Sequence, residues 1–211
     1  KNVSQLLQIL FDRKSIRNFK TTPIAANVAE KIVEAGQRAP TACGMQTYSF
    51  VLITDSQTRN KVFKAIGRQE CMTQSPIWIV ICGDLARQLE LFKMLEVKAE
   101  FGPLGKFIYS VIDATLAAEN MVIAAEALGL GSVFIGTVWD AMKELAKILK
   151  LPAYVLPIIL LCLGYPDEAP PTKPRWPLVA VLHENEYKMP SKELMRKYYE
   201  ANDELMKMQY F

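Results

Sequence analysis

The longest apolar run in the chain, residues 107–130 (FIYSVIDATLAAENMVIAAEALGL), constrains the fold more than any other stretch. Its length would permit a membrane span. Asp113, Glu119, Asn120 and Glu126 interrupt it, however, and charges at bilayer depth are costly. It reads instead as a long helix at the centre of a globular fold, capped by Gly129. Its alanines, Ala114, Ala117, Ala118, Ala124, Ala125 and Ala127, allow close packing. A chain of 211 residues, 51% apolar and 22% charged, fits a single domain with a sizeable core.

Helical and strand patterns alternate around that run. Apolar residues at 3, 6, 7, 10 and 11 predict a first helix. A second runs from Thr22-Pro23 to about Arg38 and ends before Pro40. Residues 48–54 (YSFVLIT) predict a strand, 56–67 a helix, and the continuous apolar run 77–82 a strand buried on both faces. A mixed helix at 85–100 is expected to break at Gly102-Pro103-Leu104-Gly105. After the central helix come a strand at 131–137, a helix at 139–149, a fully apolar strand at 155–163 and a terminal amphipathic helix at 191–209. That last helix carries Leu194, Met195, Tyr198, Leu205 and Met208 and needs a surface to cover them. The alternation predicts α/β or α+β around one main sheet; spacing alone does not choose parallel or antiparallel strands.

Four polar clusters remain: 13–17, 41–46, 67–69 and 173–175. Arg13 and Arg17 share a face whether their segment is extended or helical. Paired guanidinium forks suit a phosphate, and a solvated basic turn fits the same five residues. Residues 41–46 are mostly small and let a backbone approach a ligand closely. His183 is the only histidine, so a Ser-His-Asp set or a zinc site lacks members. There is no P-loop, and the glycines of 129–136 follow a helix rather than opening one. A net charge of +3 is too small to argue for nucleic acid or an anionic membrane. No stretch reads as a signal peptide, and the four separated cysteines fit free thiols in the cytoplasm. With protein-borne acid–base chemistry poorly supported, a phosphate-bearing cofactor is the expected chemical agent.

Five stretches together resemble the nitroreductase family: Arg13–Phe19, Arg38–Thr41, Ala125–Gly136, Leu161–Pro166 and Lys173–Pro177. The run at 183–187 is similar to that of the oxygen-insensitive and flavin-reductase branch. The resemblance implies an α+β sandwich with a central, mainly antiparallel sheet flanked by helices. It also implies an interlocked homodimer with two FMN groups at the interface, helix 191–209 packing on the partner. Arg13, Ser15, Arg17, Lys173 and Arg175 would hold the phosphate and ribityl chain, and Lys14 would sit near the pyrimidine edge. Thr41, Ala42 and Cys43 would reach FMN from the second subunit. Gln69, Phe134, Ile135, Gly136 and Thr137 would meet the ring or ribityl chain. NADH or NADPH would reduce the flavin, and a nitroaromatic, a quinone or free flavin would reoxidise it. A non-catalytic flavin-storage protein of the same fold is the alternative. Gly44, Thr47-Tyr48 and Ile135 depart from residues common in the family.

Overall fold

The computed structural model describes residues 3–67, 69–98 and 102–210. The chain divides into two compact units, residues 1–170 and 171–211.

In the first unit, α1 (Val3–Asp12) and α2 (Ala26–Gly36) precede strand β1 (Tyr48–Leu52). Next come α3 (Ser56–Ala65), the short α4 (Cys71–Gln74), β2 (Ile77–Asp84), α5 (Ala86–Met94) and the central α6 (Pro103–Ala127). The unit closes with β3 (Gly131–Ile135), α7 (Met142–Ile148) and β4 (Val155–Gly164). The four strands form one sheet in the order β1-β2-β4-β3, and every neighbouring pair is antiparallel. The fold is therefore α+β.

The sheet is the middle of three layers. Every residue of β2 is buried, and its side chains alternate between two cores. Ile77, Ile79 and Ile81 join Ala114, Ala117, Ala118, Met121 and Ala125 of α6. Trp78, Val80 and Cys82 join Val62 of α3 and Leu145 of α7 on the other face. The period of two gives each face its own cover, so a strand apolar throughout is here antiparallel and still buried twice.

Several boundaries differ from the sequence reading. Gly102-Pro103 starts α6 rather than breaking a helix, with Gly102 as the extended N-cap. Proline suits the first turn, where its missing N–H has no partner to lose. The preceding helix stops at Met94, and Glu96 follows with φ 55°; residues 99–100, the end of the expected helix, lie outside the described residues. α2 begins only at Ala26 because Ala25 is extended. The 131–137 strand ends at Ile135 and passes into a 3₁₀ turn at Gly136–Ala141. The cap of α6 is as expected: Gly129 has φ 78°, and the N–H groups of Gly129 and Leu130 donate to the carbonyls of Glu126 and Ala125, a Schellman closure.

The second unit holds a 3₁₀ turn at Leu178–Ala180 and α8 (Lys192–Tyr210). The N–H of Leu194 donates to Ser191 Oγ at 3.2 Å, as at a helix N-cap. Tyr198 stacks on Trp176 with ring centroids 3.7 Å apart. The side chains of Leu205 and Met208 lie outside the described residues.

Candidate functional site

The basic stretch Arg13–Phe19 leaves α1, where the Arg13 N–H still donates to the Ile9 carbonyl at 3.0 Å, and is clipped into the sheet at two bridges. Ser15 bridges Ser132 of β3 in parallel, and Phe19 bridges Pro166 after β4. The N–H of Ile16 donates to the Ser132 carbonyl at 2.8 Å, and that of Lys20 to the Tyr165 carbonyl at 2.8 Å. Ile16 and Phe19 are each only 3% exposed. Two glycines make room for them. A Cβ on Gly131 would lie 2.5 Å from Ile16 Cγ1, and one on Gly164 would lie 2.7 Å from the Phe19 ring. Ile16 and Phe19 both enter the same core, while Ser15 and Arg17 stay half-buried beside them.

A carboxylate completes the clip. Glu168 accepts from the N–H groups of Arg17 and Asn18 and from Asn18 Nδ2. Gln74 of α4 accepts from the N–H of Phe19 at 3.2 Å. Cys71 lies within electrostatic reach of Arg17 and Glu168; burial pushes its thiol pKa up, Arg17 pulls it down and Glu168 adds to the rise. Glu126, near the end of α6, faces the same cluster. Burial pushes its carboxyl pKa up, against the pull of Arg13 and Lys14. Its Oε1 is enclosed, with no hydrogen-bond partner among the described residues.

Gln69 and Thr137 also meet. Gln69 Nε2 donates to Thr137 Oγ1 at 3.1 Å, and that hydroxyl donates to the Ile66 carbonyl at 2.8 Å. Phe134 is half-buried. Ile135 is buried in the α3–α7 core, so its main chain is what it can offer a ligand. A Cβ on Gly136 would meet nothing within 4 Å, which leaves that edge open. Ser15 thus lies beside β3, which ends in Phe134 and Ile135 and leads into Gly136 and Thr137. Arg68, inside the 67–69 cluster, lies outside the described residues.

Thr41, Ala42 and Cys43 belong to a loop held elsewhere. Its hydrogen bonds run to α6, α5 and β2, and among the described residues none joins it to the basic stretch. Lys173, half-buried, and Arg175, exposed, belong to the second unit.

The donor set fits a phosphorylated flavin. Arg13, Lys14 and Arg17 are half-buried, and none forms an ion pair among the described residues, where the pairs are Arg87–Asp84 and Lys93–Glu90. Three unpaired cations beside Ser15, with an open glycine edge along the same strand, suit an anion attached to a flat body. Glu126, Glu168 and Asp113 carry no motif by themselves. The one sequence signal was that Asp113 and Glu126 break an apolar helix.

The structure is thus a layered α+β unit with a cation cluster beside its edge strand β3. The nitroreductase family model matches residues 10–165, and the chain belongs to that family. The oxygen-insensitive NADPH nitroreductase of Salmonella typhimurium is 32% identical over 196 residues, 93% of this chain and 80% of that one. The FMN reductase [NAD(P)H] of Bacillus subtilis is 32% identical over 88% of this chain and 75% of its own. Among solved structures, the B. megaterium protein NfrA2 superposes with a TM-score of 0.90 at 27% identity, covering 97% of this chain and 84% of that one. The NADPH:FMN oxidoreductase of Vibrio harveyi, solved with NAD+, gives 0.86 at 30% identity, over 97% and 86%.

Proposed function

We propose that this protein is an FMN-dependent oxidoreductase that takes electrons from NADH or NADPH and passes them to a nitroaromatic, a quinone or free flavin. The observation that carries this reading is the clipped stretch Arg13–Phe19, which holds a hydroxyl beside β3 and three cations that form no ion pair among the described residues. Arg13, Ser15 and Arg17, with Lys173 and Arg175 from the second unit, hold the phosphate and ribityl chain. Lys14 sits near the pyrimidine edge, where a cation stabilises negative charge on the reduced ring. Gln69, Phe134 and Thr137 and the main chain of Ile135 and Gly136 border the ring. FMN supplies two-electron hydride transfer when bound; the protein's part is to bind, orient and tune it electrostatically. One cofactor site and no dinucleotide fold imply that the two substrates use the same place in turn.

Thr41, Ala42 and Cys43 act on the flavin of a second subunit, which suits a loop with no hydrogen bond to its own basic stretch. The protein works as a cytoplasmic homodimer, its residues 191–209 packed on the partner so that 1–211 functions as one domain. Exposed Leu104, Phe107, Ile108, Ile112 and Leu116 along α6 support a covered face there.

The test is the visible spectrum of the purified protein, then NAD(P)H oxidation with a nitro compound. A yellow protein with turnover and parallel double-reciprocal lines is expected. Bound flavin without turnover would instead make it a storage protein, and intersecting lines would refute the shared place.

A further inference from the structure

The loop between α2 and β1 has an unusual backbone. Cys43 and Gln46 have φ 51°, and Gly44 has φ 69°. Residues that carry side chains seldom adopt the left-handed region, so such a loop persists only where its surroundings over-determine it. The determining group is Asp113, in the middle of α6 and fully buried. Its Oδ1 accepts from the Ala42 N–H at 2.9 Å, and its Oδ2 from the Thr47 N–H at 3.0 Å and Thr47 Oγ1 at 2.8 Å. The loop's carbonyls are taken from the other side. Arg87 Nη2 donates to the carbonyls of Gln46 at 3.0 Å and Tyr48 at 2.6 Å, and Gln88 Nε2 donates to that of Met45. Arg87 is itself paired with Asp84, 3.7 Å away.

A buried carboxylate is costly unless its oxygens are satisfied, and here both are spent on one strained loop. We propose that Asp113 is a positioning residue for the cofactor, holding residues 41–47, with Arg87 and Gln88 opposite, in the conformation that meets FMN. This rests on the oxidoreductase reading, in which Thr41, Ala42 and Cys43 contact the flavin. Only a carboxylate serves at 113. Asparagine offers one acceptor and one NH₂ group, so either Ala42 or Thr47 would have its N–H opposed by another donor.

The experiment uses the full chain, with flavin removed by dialysis and FMN as the probe. It compares wild type, Asp113→Asn and the double variant Arg87→Ala/Gln88→Ala. FMN affinity is read by fluorescence quenching, amide exchange at Ala42 and Thr47 is followed with and without FMN, and thermal unfolding is recorded. In wild type, FMN should slow exchange at both amides, a response that a purely structural role for Asp113 would not produce. Asp113→Asn should speed exchange at both and weaken FMN about tenfold, equivalent to about 1.4 kcal/mol, as the competent loop becomes a minor population. The double variant removes partly exposed side chains and should weaken FMN in the same sense with little change in unfolding temperature. If Asp113→Asn does not fold, the double variant decides. FMN affinity within twofold of wild type in every folded variant, or wild-type loop amides indifferent to FMN, overturns the inference. A wild type that fails to bind FMN sinks the oxidoreductase reading and this inference together; normal wild-type binding with unchanged variants sinks this inference alone.

Discussion

Gly131→Ala tests how the basic stretch is seated. The added methyl would lie 2.5 Å from Ile16 Cγ1, 2.8 Å from Ile16 Cβ and 3.1 Å from Ile16 Cγ2. Two of those distances are under 3 Å, so Ile16 must move by most of an ångström. Ile16 is nearly fully buried, and its N–H donates to Ser132, so it cannot move without straining the clip. Overpacking a filled core costs about 1–3 kcal/mol, which in a chain of this size lowers Tm by about 2–10 °C. Ile16→Ala alone should cost about 2–5 kcal/mol through its cavity. The combination should cost less than the sum by about 1 kcal/mol, because truncation removes two of the three clashing atoms and leaves only Cβ. Gly102→Ala, whose added methyl meets nothing within 4 Å, is the control and should stay within about 0.5 kcal/mol of wild type. Urea unfolding of the flavin-free protein measures all four. Additive losses at positions 16 and 131, within about 0.5 kcal/mol, or an unchanged Gly131→Ala, would refute this account of why residue 131 is glycine.

Arg17→Ala should weaken FMN about ten- to a hundredfold, since a hydrogen bond to a charged group is worth about 1.5–3 kcal/mol. Riboflavin, which lacks the phosphate, should hardly notice, and equal losses for both ligands would remove Arg17 from the phosphate. Glu126 has its pKa raised in the folded state, chiefly by burial, so between the ordinary and the raised value the native protein binds more proton than the unfolded chain. Its penalty is absent at low pH, grows as pH rises through the raised value, and is fully present above it. Glu126→Gln should therefore gain stability over wild type toward neutrality and not at pH 4; a gain largest at pH 4 in urea titrations would contradict the burial argument. Light scattering should return a dimer, and a flavin-loaded monomer at micromolar concentration would rule out the shared site.

The sheet was legible because its strands are written in apolar runs. YSFVL, IWIVIC and LPIILLCLG are apolar runs of strand length, but strands apolar on both faces carry no alternation to fix their direction or register. Helix starts were less legible. Pro23 reads as opening a helix and Pro103 as breaking one, yet Pro103 opens α6 and Pro23 precedes an extended Ala25. The difference depends on what packs against the following turn, which local spacing does not encode. The cations at 13–17 stood out as a cluster. Glu168 did not, because it reaches Arg17 and Asn18 across some 150 positions. Asp113 was visible only as a flaw in an apolar helix. Its role depends on Ala42 and Thr47 being folded back against it, a tertiary fact.

Charge around the basic stretch is only partly balanced within it. Arg13, Lys14 and Arg17 bring three positive charges, and Glu126 and Glu168 stand within reach of them with two negative ones. With both carboxylates ionised, these five groups carry a net of about one positive charge. A phosphate monoester carries about −1.5 to −2 at neutral pH and would be under-compensated there. Glu168 cannot be dispensed with, because its oxygens hold the amides that keep Arg17 in place. Glu126 is partly relieved by burial, which favours its protonated form. The remaining deficit is about half to one charge, so one further positive charge would close it. A cluster that seats its cations with carboxylates gives up part of the positive charge it offers an anion, and protonation of Glu126, which burial favours, returns about one unit of it.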